Sequence, residues 1–129
     1  MKVLCDTNAI TALRLGNVTA IRILEEADAV LLSVVVLGEL LYGYKTGSKE
    51  DENRRFLDAF IAKPRVQVLL VDAETSAVYA DLRQELKRIG KPIPTNDLWI
   101  AAQAIEQGAV LLTNDAHFDG LIGLRKASY

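Results

Sequence analysis

Short apolar runs that alternate with helical segments constrain this chain more than any other feature. Val3-Leu4-Cys5 and residues 29–33, 66–71 and 109–113 are dominated by Val, Leu and other apolar side chains. Runs this short and this continuous suit strands covered on both faces, as in a parallel sheet. Between them, apolar residues recur at three- and four-residue spacings. Asn17 is placed to cap a helix to about residue 27 that carries Val18, Ile21 and Leu24 on one face. Leu37, Leu40, Leu41 and Tyr44 align over 34–44, and Val78, Leu82, Leu86 and Ile89 align over 73–89. Further helices are expected over 8–15, stopped by Gly16, and over 48–62, with Ser48 as its cap and Glu50 and Asp51 in its first turn. Another is opened by Asn96 and Asp97 and ended by Gly108, after the stiff loop Gly90-Lys91-Pro92-Ile93-Pro94. A turn near His117 and a last strand around 124–128 complete the series. This alternation predicts an α/β fold, with a central, mainly parallel sheet flanked by helices in three layers.

Residues 1–129 show no repeat, linker or low-complexity tract and read as a single domain, long enough to bury a substantial core. The single Cys5 excludes an internal disulfide and, within its apolar run, reads as a small buried hydrophobe in a reducing compartment. No apolar run approaches the ~20 residues of a membrane helix. Asp6 interrupts any signal-peptide core, so a cytoplasmic location is expected. The 15 basic and 17 acidic side chains give a net charge of −2, without the basic surplus usual in nucleic-acid binders. Neutralising four acids with a bound cation would leave the remainder at +2, so net charge does not exclude such a partner.

Four acids sit at the edges of the apolar segments. Asp6 closes the first run, Glu39 is the only charge between Asp28 and Lys45, Asp97 precedes the uncharged stretch 98–105, and Asp115 follows Thr113-Asn114. Each has a local explanation. An acid such as Asp97 in a helix's first turn gains roughly 0.3–1 kcal/mol from the dipole. Asp6 and Asp115 suit Asx-turns or caps, and Glu39 could lie on an exposed stripe of its helix. Parallel sheets, however, bind ligands beyond the carboxyl ends of their strands, and right-handed crossovers bring those ends to one edge. Convergent carboxylates there would raise each other's pKa, a penalty that a divalent cation reverses. Oxygen donors favour Mg²⁺ or Mn²⁺ over Zn²⁺. Thr7, Asn8, Thr113 and Asn114 flank the acids and are candidates to orient carboxylates or water. His117 reads as a base, a ligand or an incidental surface residue.

These residues resemble the PIN-domain ribonucleases, and among them the VapC-type toxins of toxin–antitoxin pairs. The resemblance rests on Val3-Leu4-Cys5-Asp6-Thr7-Asn8, Ser33 with Gly38-Glu39-Leu40, Asn96-Asp97-Leu98-Trp99-Ile100-Ala101-Ala102 and Val110-Leu111-Leu112-Thr113-Asn114-Asp115-Ala116-His117-Phe118. It spans about residues 2–127, with Gly120 to Leu124 suiting the family's ending. It implies a PIN fold with an acidic pocket, in which Asp6, Glu39 and Asp97 match the core metal-site acids and Asp115 the more variable fourth. Thr113 matches a supporting hydroxyl. One acid in Asn114-Asp115-Ala116, where some relatives carry two, leaves one or two ions open.

The activity implied is endonucleolytic hydrolysis of RNA phosphodiesters by metal-activated water, leaving 5′-phosphate and 3′-hydroxyl ends. The partners implied are RNA, a second copy of the chain in a homodimer, and an antitoxin laid across the pocket. Arg14, Lys45 and Lys91 are candidates to hold RNA, within a wider set of Lys49, Arg54, Arg55, Lys87 and Arg88. Helices near Leu41, Tyr42, Phe56 and Phe60 could offer the antitoxin a groove or simply be core. Two alternatives share parts of the pattern. A phospho-acceptor receiver domain would need a second acid where Cys5 stands and a better spacing of Asp72 and Lys126. A non-enzymatic binding module would leave all four acids as caps and turns.

Overall fold

The computed structural model describes all residues, 1–129. The first strand, β1 (Lys2–Cys5), leads through α1 (Thr7–Arg14) and α2 (Val18–Glu26) to β2 (Ala29–Ser33). Helices α3 (Val34–Thr46) and α4 (Glu50–Ile61) lead to β3 (Val66–Leu69). Helices α5 (Ala73–Arg88) and α6 (Thr95–Glu106) lead to β4 (Val110–Leu112), and a 3-10 turn over Ala116–Phe118 precedes β5 (Arg125–Ala127).

The strands form one sheet in the order β3-β2-β1-β4-β5, with every pairing parallel. Two connections step outward from β1 to β3, and the third crosses back to β4 on the other side of β1. Right-handed crossovers therefore place α1–α4 on one face and α5–α6 on the other. The central strands are covered on both faces, which is why Val3, Leu4, Cys5, Leu31, Leu32, Leu111 and Leu112 are all at most 1% exposed. One cluster of 28 buried residues forms the core. No helix is long and apolar enough to cross a membrane.

Local chemistry fixes the element ends. Asn17 accepts a hydrogen bond from Ala20 N at 2.9 Å and caps α2 as expected. Ser33 ends β2 and at once caps α3 through Val35 N at 3.1 Å, so no loop separates the two elements within their continuous apolar run. Three expectations need correction. Lys49, not Ser48, is the N-cap of α4, and no side chain bonds its first turn. The third strand stops at Leu69, because Asp72 is drawn into a capping box with Thr75 that starts α5. Helix α6 begins at Thr95, one residue before Asn96. Cys5 is fully buried, and burial pushes its thiol pKa far up, leaving an inert hydrophobe.

Candidate active site

The strand order places a topological switch point between β1 and β4, the neighbours whose onward connections run to opposite sides, and ligands bind at such points. The register Cys5↔Leu112 brings the next residues, Asp6 and Thr113, abreast at the carboxyl edge. Asp6 turns into α1 as its cap, with its carboxylate accepting from Ala9 N at 2.8 Å. Its other oxygen accepts a short hydrogen bond from the Thr113 hydroxyl. The same hydroxyl accepts from Asp115 N at 3.0 Å, so one buried side chain ties the first acid to the fourth.

Glu39 lies in the second turn of α3, directed toward the start of α1. There the Thr7 hydroxyl donates to its carboxylate at 2.7 Å. Asp97 is half-buried in the first turn of α6. Asp115 caps the 3-10 turn through His117 N at 2.8 Å. His117 Nδ1 then stands 3.1 Å from Asp97 and 3.2 Å from Asp115, bridging two acids eighteen residues apart in sequence. Ligand atoms of Asp97, Asp115 and His117 all lie within 4.8 Å of one another.

The electrostatics of the cluster are strained. Burial chiefly, and then the charges of Asp115 and Glu39, raise the Asp6 pKa, while the Thr113 and Ala9 bonds oppose the rise. Burial likewise raises the Asp97 pKa, His117 opposes it, and Asp115 and Glu39 add to it. No Lys or Arg forms an ion pair with any of the four acids, and His117 is their only ionisable counter-group. Asp97 and Asp115 are placed to share one cation with His117, whereas Asp6 and Glu39 lie outside that group and are coupled to it by charge; the carboxylate oxygens suit a hard divalent cation. An oxygen-only set was expected, and the structure adds an imidazole beside it.

The flanking candidates divide. Thr7 and Thr113 bond the acids directly. Asn8 is exposed and forms no hydrogen bond within the cluster. Asn114 is turned away: its amide donates to Tyr129 O at 2.9 Å and accepts from Tyr129 N at 3.0 Å, fastening the C-terminal residue. Of the proposed RNA contacts, Lys45 is paired with Glu50 at 3.3 Å. The Lys91 ammonium donates to the Asp119 carbonyl. Arg14 is close enough to Tyr44 to act on its hydroxyl. Sequence reasoning gave His117 no definite role; the Asp115–His117 spacing on a tight turn was the available signal. The receiver-domain requirement fails as well, since Asp72 is a cap beyond the edge strand β3 and Lys126 pairs with Asp119.

A parallel α/β sheet with clustered acids at its switch point is the frame of a hydrolytic α/β domain able to take a cation, and comparison with known proteins narrows it. The PIN domain profile matches residues 3–122. Ribonuclease VapC2 of Rickettsia felis is 35% identical over 95 residues, covering 74% of this chain and 69% of that protein. Ribonuclease VapC5 of Mycobacterium tuberculosis is 32% identical over 121 residues, covering 92% and 86%. Among solved structures, VapBC2 from Rickettsia felis bound to a DNA fragment from its promoter superposes with a TM-score of 0.88 at 30% identity, covering 99% of this chain and 98% of that one. The chain belongs to the PIN-domain family, and within it to the VapC ribonucleases.

Proposed function

We propose that this protein is a Mg²⁺- or Mn²⁺-dependent endoribonuclease, the toxin of a toxin–antitoxin pair, with Asp6, Glu39, Asp97 and Asp115 as the metal-binding acids. What supports this reading is the grouping of Asp97, Asp115 and His117 within 4.8 Å, with the charges of Asp115 and Glu39 acting on both Asp6 and Asp97 and no Lys or Arg paired to these acids. A divalent cation, when bound, would neutralise that charge and lower the pKa of a water molecule at the site.

The chain's own residues supply the positioning. Ala9 N–H and the Thr113 hydroxyl fix the Asp6 carboxylate on two sides, and Thr7 fixes Glu39. His117 Nδ1, within 3.2 Å of both Asp97 and Asp115, holds the two acids together. The reaction class is in-line hydrolysis of an RNA phosphodiester by water, leaving 5′-phosphate and 3′-hydroxyl ends. The four acids would be costly to gather for structure alone, which weighs against a purely non-enzymatic module.

The same reading needs a seat for the antitoxin. A groove of about 620 Å³ runs between α1–α2 and α4, lined by Leu13, Ile21, Leu24, Phe56 and Phe60 among others. The sequence-based groove was placed partly elsewhere: Phe56 and Phe60 line this one, whereas Leu41 packs on the core and Tyr42 is 71% exposed. Homodimerisation is part of the same proposal, and sedimentation of the isolated chain reads it.

The decisive experiment is RNA cleavage in Mg²⁺ or Mn²⁺ with Asp6→Asn and Asp97→Asn as controls. Loss of cleavage in both variants and in excess EDTA, with folded variants by circular dichroism, is expected. Full activity of either variant, or activity in EDTA, would overturn the reading. Sequencing RNA ends after induced expression, against the Asp6→Asn control, identifies the target.

A further inference from the structure

A second pocket, of about 340 Å³, opens between the end of α5 and the start of α6, separate from the groove between α1–α2 and α4. Its polar wall is Arg83, Lys87 and Thr95, over a floor that includes the buried Leu86 and Leu98, and no acid lines it. Arg83 and Lys87 are one helical turn apart on α5, a like-charged i,i+4 pair that destabilises a helix unless an anion lies between the charges. Neither has a carboxylate partner: Arg83 donates only to the Tyr79 hydroxyl at 2.9 Å, and Lys87 forms no ion pair.

Most other cations near the site are committed. Lys45 pairs with Glu50, Arg88 with Glu85 and Lys126 with Asp119, and Lys91 bonds the Asp119 carbonyl. Lys63 and Arg65 also share a cavity, but Glu25 lines that one with them. Of these two cavities, the one of Arg83 and Lys87 has two cations and no acid. It also lies against the first turn of α6, the turn that carries Asp97, with Thr95 and Leu98 on its wall. Pro94 gives α6 no side-chain cap, so its first-turn amides have no side-chain acceptor.

We propose that Arg83 and Lys87, with the Thr95 hydroxyl, form a phosphate subsite that holds the RNA backbone beside the acidic site. The proposal rests on the ribonuclease reading and adds what that site lacks. Four carboxylates repel a polyanion, and a strand crosses them only if nearby cations hold a flanking phosphate. The side-chain fork of Arg83 and the ammonium of Lys87 supply charge-assisted donors of the kind phosphate takes.

The test separates binding from chemistry. A fluorescein-labelled 12-nucleotide RNA of mixed sequence is titrated by anisotropy against the Asp6→Asn protein, with and without Arg83→Gln/Lys87→Gln, at several salt concentrations. The double variant is expected to lose about tenfold in affinity, as for one charge-assisted contact. Its log–log salt slope should become shallower by about 0.7, as for one released single-strand phosphate. Lys87→Gln, which breaks no side-chain hydrogen bond or ion pair, should show part of both effects and guards against a folding defect at Arg83. Unchanged affinity and slope in a protein whose wild-type form cleaves RNA would overturn the subsite and leave the ribonuclease reading standing. A wild-type form that neither binds nor cleaves RNA would overturn both. Loss of binding to a glutamate-rich peptide, with RNA binding intact, would assign the pocket to a protein partner and overturn the proposal.

Discussion

Thr113→Val tests whether the acid cluster is held by one hydroxyl. Thr113 is 2% exposed, donates to the Asp6 carboxylate and accepts from Asp115 N at 3.0 Å. Valine keeps the shape and removes both bonds. A hydrogen bond to a charged group is worth about 1.5–3 kcal/mol, and a backbone donor left unpaired costs about 1 kcal/mol where water can still reach it. Asp115 is only half-buried, so the smaller figure applies to its N–H. The sum is about 2.5–4 kcal/mol. For 129 residues at ~2.1 cal/mol/K each, 1 kcal/mol moves the melting temperature by about 4 °C, so a fall of about 10–15 °C is expected at pH 7 without added metal. Scanning calorimetry in EDTA reads it, and Thr113→Ser should recover most of the loss. The pH dependence carries the mechanism. The Thr113 bond lowers the Asp6 pKa, so the variant's Asp6 titrates higher still and the deficit is greatest where Asp6 is charged. As pH falls through the folded value of Asp6, which burial raises above the ordinary 3.8, the charge-assisted part disappears and the deficit shrinks. A Thr113→Val protein that melts within 2 °C of wild type at pH 7, or a deficit independent of pH, would refute the reasoning.

Two further outcomes follow from the same cluster. Adding Mn²⁺ or Mg²⁺ at about 100 times its dissociation constant should stabilise the wild type by about 2.7 kcal/mol, or roughly 10 °C, and thermal scans of Asp97→Asn should show most of that gain lost. Asp6 has a folded pKa raised above its unfolded value, chiefly by burial, so proton-linked stability is present below 3.8 and lost as pH rises through the folded value. Metal-free Asp6→Asn should therefore gain on metal-free wild type as pH rises from 3 to 7, and parallel melting curves at all pH values would contradict this.

Much of the architecture was legible because it is written in local signals. Asn17 capped its helix, Gly16 and Gly108 closed theirs in positive-φ conformations, and each apolar run became a strand of one parallel sheet. Boundaries slipped where a side chain had two possible partners. Ser48 offered a hydroxyl that α4 does not use, and Asp72 and Thr75 shortened β3 by joining in a capping box. Within the site, Thr7 and Thr113 could be suspected from adjacency to acids, but adjacency misled for Asn114, whose amide spans fifteen residues to the chain end. His117 and Arg83 were not legible as partners, because a histidine and an arginine acquire a role from what faces them.

The sequence by itself determined the elements and the presence of four acids at their ends, since caps, periodicity and apolar runs act between residues a few positions apart. Tertiary structure decided which acids come together. Strand order puts β1 beside β4, and their register brings Asp6 level with Thr113. Thr7 then reaches Glu39, and His117 reaches Asp97. Those contacts span 20 to 107 residues of chain, a separation over which only the packing of the sheet and its crossovers can set a distance.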